Sequence, residues 1–406
     1  MQVKTDFDII VVGGGIVGLA SAYKIARSHP NLRLAVLEKE DRVGAHQTGH
    51  NSGVIHSGLY YKPGSAKAAT CMAGRRELIE FAKTHNIPHE ICGKIIVATD
   101  EAELPAMEKI LQNGRQNGVE GLEQIGPDRI RQIEPFVTGI TALHVPSAGI
   151  IDFAKVAQKL VELIERAGGH NQVLVSHEVT GFDRHDFYTN VLTKKGAFST
   201  RYVVNCAGLQ CDRVARMDGI EPPVRIIPFR GDYSELNAAA ASKVKSLVYP
   251  VPNPAFPFLG VHFTRMVGGG VECGPNAVFS FKREGYGKTD FNLRDSWESL
   301  SYLGTWVLFA KHWKYGLSEY TRVFSKKRLL AQLQRLIPSL TLEDLHPGTA
   351  GVRAQALGPT GALVDDFKIE ARGNSIHVLN APSPAATASL AIGDHINQIA
   401  TERFGL

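Results

Sequence analysis

Asp8-Ile9-Ile10-Val11-Val12-Gly13-Gly14-Gly15-Ile16-Val17-Gly18 decides how the rest of this 406-residue chain is read. Its first five residues are almost wholly apolar, the pattern of a parallel strand covered on both faces. Three glycines follow, and Leu19 to Ser28 then reads as a helix rich in Ala and aliphatic residues. A second apolar run, Leu32 to Leu37, ends at Glu38. Each part has a physical task. Gly13 permits a tight turn, Gly15 lets the backbone approach a pyrophosphate, and Gly18 lets the helix lie close on the strand. The pyrophosphate would sit over the helix amino terminus, where unpaired N–H groups favour negative charge. Glu38 stands twenty residues beyond Gly18, the offset of a carboxylate that holds ribose hydroxyls. Weighed against a fortuitous glycine turn, this order favours a dinucleotide-binding unit of the Rossmann-like α/β class.

The bulk composition leaves room for more than that unit. At 44% hydrophobic residues the chain can bury large cores and form two domains. The formal charge is +5, but Lys and Arg are spread among 40 acidic residues without a basic block, which argues against nucleic acid as a partner. A modest positive charge favours anionic small molecules or an anionic lipid surface instead. The five cysteines, Cys71, Cys92, Cys206, Cys211 and Cys273, include no C-x-x-C pair and no zinc-like spacing, so buried thiols and no metal site are expected. No apolar run reaches the roughly 18 residues of a bilayer span. The first strand begins almost at once, so a cytoplasmic protein is expected, with peripheral attachment to the inner membrane face left open.

FAD and NAD share the glycine fingerprint, and other segments choose between them. Gly44-Ala45-His46-Gln47-Thr48-Gly49-His50-Asn51-Ser52-Gly53 is a polar, glycine-rich loop suited to a second face of a large cofactor. Tyr202 to Gly208 is a strand ending in Ala207-Gly208. The tail from Ile376 runs strand, Pro-containing turn and then helix from Ala385 onward, and a helix amino terminus there suits the electron-rich side of a flavin ring. These segments predict FAD, touched by Gly13, Gly15, Gly18, Glu38, Lys39, Thr48, Asn51, Ser52, Gly53, Ala207, Gly208, Pro384, Ala385 and Ala386. The other glycine cluster, Gly268-Gly269-Gly270, leads into Val271 and reads as a hairpin turn rather than a second nucleotide site. Electrons leaving the flavin would therefore pass to oxygen, a quinone or a protein carrier.

Four further segments carry a more specific resemblance. HQTGHNSGVIHSGLYYKP (His46 to Pro63), GPNAVFSFKREGY (Gly274 to Tyr286), GVRAQ (Gly351 to Gln355) and NAPSPAATASLAIG (Asn380 to Gly393) resemble the L-2-hydroxyglutarate dehydrogenase/oxidase family. That family is one of the D-amino-acid-oxidase-like flavoproteins, among them glycine and sarcosine oxidases. The resemblance covers essentially the whole chain. It implies non-covalent FAD, oxidation of L-2-hydroxyglutarate to 2-oxoglutarate, and a mixed-sheet α+β substrate domain inserted into a discontinuous FAD domain. The expected layout is residues 1–90, 150–215 and 345–406 for FAD, and 91–149 and 216–344 for substrate.

Oxidising a 2-hydroxy acid needs a base for the hydroxyl proton while hydride leaves C2 for flavin N5, and cations for the carboxylates. His56, which closes the Asn51–His56 loop, and His262, in the alternating run Gly260 to Arg265, are the candidate bases; each could instead be a structural histidine. Arg353 is the leading carboxylate ligand. Arg230 and the Lys282-Arg283 pair are secondary candidates, with surface solvation or a structural ion pair as the competing reading. Tyr61 closes the pocket or belongs to a core. Trp297, Trp306 and Trp313 fall in one stretch with Phe309 and Tyr315. The three-and-four offsets of Trp306, Phe309 and Trp313 suggest one helical face, read first as a core face and second as a membrane-interface face that a quinone acceptor would require. Two other functions compete: an amine or amino-acid oxidase of the same fold, and a flavin-binding protein without turnover.

Overall fold

A computed structural model describes residues 4–168, 170–253, 260–323 and 325–406, apart from the side chains of Tyr315, Ser318 and Arg322. Phe7–Val12 is a strand with every residue buried, as its apolar run requires. It pairs in parallel with Leu34–Leu37 on one side and Gly196–Asn205 on the other, at the centre of an eight-stranded sheet. Gln172–Leu174 and Ser375–Asn380 extend the parallel part outward. The helices Ile16–Ser28, Phe153–Arg166 and Ser389–Phe404 share a core with this sheet, which includes Leu19, Ile25, Leu160 and Ile396. Removing each such large aliphatic side chain from water contributes roughly 1.5–3 kcal/mol.

The turn between strand and first helix is tight because two positions lack side chains. Gly13 has φ +110°, and a Cβ there would stand 2.6 Å from the Cys206 carbonyl oxygen. A Cβ on Gly18 would stand 2.0 Å from the Gly13 carbonyl oxygen. Helix Ile16–Ser28 starts three residues before the predicted Leu19, and its cap, Gly15, offers no side-chain hydrogen bond.

Among the described residues the second sheet has nine strands. Its order runs Val278–Phe279, Arg225–Leu236, Val271–Gly274, His262–Arg265, Leu247–Pro250, Lys94–Ala98, Thr141–Val145 and Glu123–Ile125, with Leu345–Leu357 also paired to Arg225–Leu236. The glycine cluster forms the predicted hairpin: Met266 N–H donates to the Gly270 carbonyl between two antiparallel strands. One boundary differs from expectation. Leu345–Leu357, assigned by sequence to the FAD part, runs as a long antiparallel partner of Arg225–Leu236, in register from Arg225 opposite Leu357 to Leu236 opposite Leu345. A small sheet of Val54–Ile55, Gly149–Ile151 and His89–Glu90 lies where the chain leaves for the second sheet and returns from it.

The aromatic stretch is not a core face. Phe309 packs on Phe279, with ring centroids 5.5 Å apart, but Trp306 is 55% exposed and Trp313 60%. The helix Leu303–Val323 is interrupted at His312 (φ −121°, ψ 19°), so the four-residue offset from Phe309 to Trp313 no longer fixes a shared side. Tyr315's side chain lies outside the described residues.

Gly18→Ala tests the turn. The added methyl has to push the helix off the strand, at a cost of about 2 kcal/mol or more. The variant is expected to melt at lower temperature and to purify with less flavin per chain by absorbance; a fully loaded, equally stable variant would contradict the packing argument.

Candidate active site

A cavity of about 680 Å³ opens at the carboxyl ends of the central parallel strands, where Val12, Gly13 and Leu37 line it. In open α/β sheets this is the position that binds ligands. The uncapped first turn of the helix contributes Gly15, Ile16 and Val17 to the lining. A Cβ on Gly15 would meet only Thr48 Oγ1, at 3.6 Å, so the backbone there is open to an incoming group. Thr48 Oγ1 accepts the Ile16 N–H at 2.9 Å, which satisfies one of the orphan donors and ties the 44–53 loop to the helix. These features fit a dinucleotide pyrophosphate.

Glu38 lines the cavity with its carboxylate oriented by backbone: Gly14 N–H donates to Oε2 at 2.8 Å and Glu40 N–H to Oε1 at 2.9 Å. Lys39, Asn51, Ser52, Ala207, Gly208, Pro384, Ala385 and Ala386 also line it. Gly18 and Gly53 do not. Gly18 is spent on strand–helix packing, and Gly53 shapes the loop at φ +63° while its carbonyl accepts the Ile151 N–H. The tail helix begins at Ser389, not Ala385, so a turn rather than helix faces the cavity at Pro382–Thr387. The Gly274–Tyr286 segment reaches back to the cofactor end. Glu284 accepts from Lys39 Nζ at 2.6 Å and from Gln210 Nε2 at 2.9 Å, and Tyr286 stacks on His50 with centroids 4.0 Å apart.

At the other end the cavity meets one face of the second sheet. His56, Lys67, Tyr233, Tyr249, His262 and Arg353 line this part. His262 Nδ1–H donates to the Gly260 carbonyl at 2.8 Å, leaving Nε2 as an acceptor, and its ring stacks on Tyr249 at 3.8 Å. Burial, with Lys94 and the other cations nearby, pushes His56 and His262 down to about 3. Both imidazoles are therefore neutral at working pH, far below the near-neutral value expected of a histidine base.

Arg353 sits opposite Phe229 in the long ladder, and Arg230 sits opposite Val352. Successive residues of a strand point to opposite faces, so Arg230 turns away from the cavity, where it pairs with Asp232 at 2.9 Å and donates to the Gly287 carbonyl. Arg230 is not a cavity residue. Neither is Lys282, and its neighbour Arg283 is wholly buried against Asp212 and the Leu209 carbonyl. Tyr61 misses the main cavity but lines a second one of about 10 Å³ behind His56, together with Tyr60 and Lys94. Lys94 went unnoticed in the sequence, although a lone lysine inside Lys94-Ile95-Ile96-Val97-Ala98, a strand of buried residues, is a detectable anomaly.

Comparison with known proteins places this geometry. Residues 8–399 match the family model described as FAD dependent oxidoreductase. The L-2-hydroxyglutarate dehydrogenase of Indibacter alkaliphilus is 50% identical over 98% of this chain and 100% of its own length. The chain belongs to the L-2-hydroxyglutarate dehydrogenase family. The mitochondrial member from Homo sapiens is 43% identical over 99% of this chain and 90% of its own. Among solved structures, L-alpha-glycerophosphate oxidase from Mycoplasma pneumoniae with FAD bound shares the fold, with a TM-score of 0.78 at 20% identity over 97% of this chain and 94% of that one. FAD is thus the cofactor of this family member, and the chain is an oxidoreductase.

Arg230→Met separates structure from catalysis. Left facing a partly buried Asp232 without its guanidinium, the variant should lose about 3 kcal/mol of stability in denaturant unfolding, with KM unchanged once folded. A raised KM at unaltered stability would return Arg230 to the substrate site.

Proposed function

We propose that the chain oxidises L-2-hydroxyglutarate to 2-oxoglutarate, with Arg353 holding a substrate carboxylate and His56 receiving the hydroxyl proton. The observation that carries the reading is the pairing of Arg353 with two neutral histidines at one end of a cavity whose other end fits FAD. Bound FAD supplies the hydride acceptor. The protein's share is position and proton handling. Arg353 offers a planar fork that fixes a carboxylate's orientation, and Lys67 is a second basic side chain lining the cavity. His262, pinned by Gly260 and Tyr249, presents Nε2 as an acceptor that orients the substrate hydroxyl. His56 borders both the main cavity and the small one behind it, which gives a proton arriving there somewhere to go. Names of relatives at 42–50% identity favour this 2-hydroxy acid over an amine substrate or a protein without turnover.

The electron acceptor in this reading is a quinone reached at a membrane surface. No described helix is long and apolar enough to cross a membrane. However, Leu293, Trp297, Leu303, Trp306, Trp313 and Leu317 are all more than half exposed along one stretch. Arg294, Lys311 and Lys314 lie exposed among them. Large apolar side chains flanked by cations suit the headgroup region of an anionic bilayer.

His56→Asn should slow anaerobic flavin bleaching by L-2-hydroxyglutarate about 10²- to 10⁴-fold, while Arg353→Lys should raise KM about tenfold or more by losing the bidentate fork. Bleaching by glycine or sarcosine but not by L-2-hydroxyglutarate would reject the assignment. The surface is tested by co-sedimentation with vesicles: binding to anionic but not neutral vesicles is expected, and it should be lost when Trp306 and Trp313 are changed to Ser. Failure of the parent protein to bind either kind would reject the membrane reading.

A further inference from the structure

Lys94 lies on the first strand of the chain's excursion into the second sheet and is 3% exposed. Its Nζ stands 3.6 Å from the centroid of Tyr249 and 4.7 Å from that of Tyr60. Since His262 also lies within 4 Å of the Tyr249 centroid, Lys94 and His262 take opposite faces of that ring. Among the described residues no carboxylate forms an ion pair with Lys94, an unusual state for a buried amine. The charged and titratable groups around it are His56, Tyr60 and Tyr61 from the 54–61 segment, Tyr249 and His262 from the adjoining strands, and, further off, Lys67 and Arg353.

The cavity beside Lys94 is the second observation. At about 10 Å³ it matches a single water molecule in size, and it is bordered by His56, Tyr60, Tyr61 and Lys94. The Tyr60 hydroxyl is buried with no hydrogen-bond partner among the described residues. A buried hydroxyl without a partner is costly unless something occupies the space beside it. The cavity thus has the polar lining that a one-water bridge between His56 and Lys94 requires.

Resting on the reading of His56 as proton acceptor, we infer that Lys94 stores the proton the substrate hydroxyl gives up, taking it from His56 across this small cavity. The balance is simple. As hydride leaves C2 the hydroxyl proton passes to His56 and then to the neutral Lys94 amine, which becomes ammonium; the carbonyl product forms, and Lys94 releases the proton to solvent after the product leaves. Burial holds His56 well below the usual imidazole range, so it accepts a proton without keeping it at neutral pH, whereas burial alone lowers Lys94 only to about 7, so the onward transfer is downhill. Lys94 acts through His56 and is a positioning residue rather than one that touches substrate.

The direction of the pH effect follows. The store is empty only when Lys94 is neutral, so activity is lost as pH falls through its pKa and gained as pH rises above it. With FAD-loaded enzyme mixed anaerobically with L-2-hydroxyglutarate, the wild-type bleaching rate should rise with pH along a limb centred near 7. Lys94→Met should remove that limb and slow the reaction at neutral pH about 10- to 100-fold. Should Lys94→Met fail to load FAD, Lys94→Arg, which keeps the charge but never empties, should be slow at every pH with no limb. A wild-type profile flat through neutrality, or a variant slowed by one constant factor with the limb intact, would overturn the proposal while leaving the oxidation itself standing. No bleaching of the wild type at any pH would remove the activity and this inference together.

Discussion

The Gly13 carbonyl oxygen lies where a side chain on Gly18 would begin, and this contact sets the distance between the first strand and the first helix. Everything at the cofactor end follows from it. With the helix held that close, its first turn faces the carboxyl edge of the sheet, and because Gly15 supplies no capping side chain, the free N–H groups are left for an anion. Thr48 then ties the next loop to the same turn, and Glu38 is fixed by two backbone donors at the rim.

The substrate end obeys a different constraint. One face of a twisted nine-stranded sheet gathers Arg353, His262, Tyr249 and Lys94 from four strands far apart in sequence. The protein concentrates cationic side chains there and, among the described residues, supplies no paired carboxylate to Lys94. The cost of burying such charge is offset only when the amine gives up its proton or an anion arrives. The site is therefore electrostatically prepared for a small anion, and its histidines are kept in the unprotonated form first by burial and then by the neighbouring cations. The segment Gly274–Tyr286 joins the two ends, since Pro275 lines the cavity near the second sheet and Glu284 holds Lys39 at the nucleotide rim.

The sequence by itself determined the nucleotide turn and the hairpin at Gly268–Gly270, and it singled out His56, His262 and Arg353 as candidates, because each depends on local spacing or on residue types whose chemistry is distinctive; all three candidates line the cavity. It ranked Arg353 ahead of Arg230 but could not show that Arg230 lies off the cavity. Both are arginines in long strands, and only the cross-strand register, with Arg353 opposite Phe229 and Arg230 opposite Val352, shows that they point to opposite faces. The aromatic stretch misled for a related reason: helical spacing predicts a common face only while the helix stays regular, and His312 breaks it. Lys94 was decided by tertiary structure alone. Its strand says that it is buried, but the water-sized space it shares with His56 exists only once residues about forty positions apart in sequence are packed together by the tertiary fold; burial is written in the local pattern, and proximity is not.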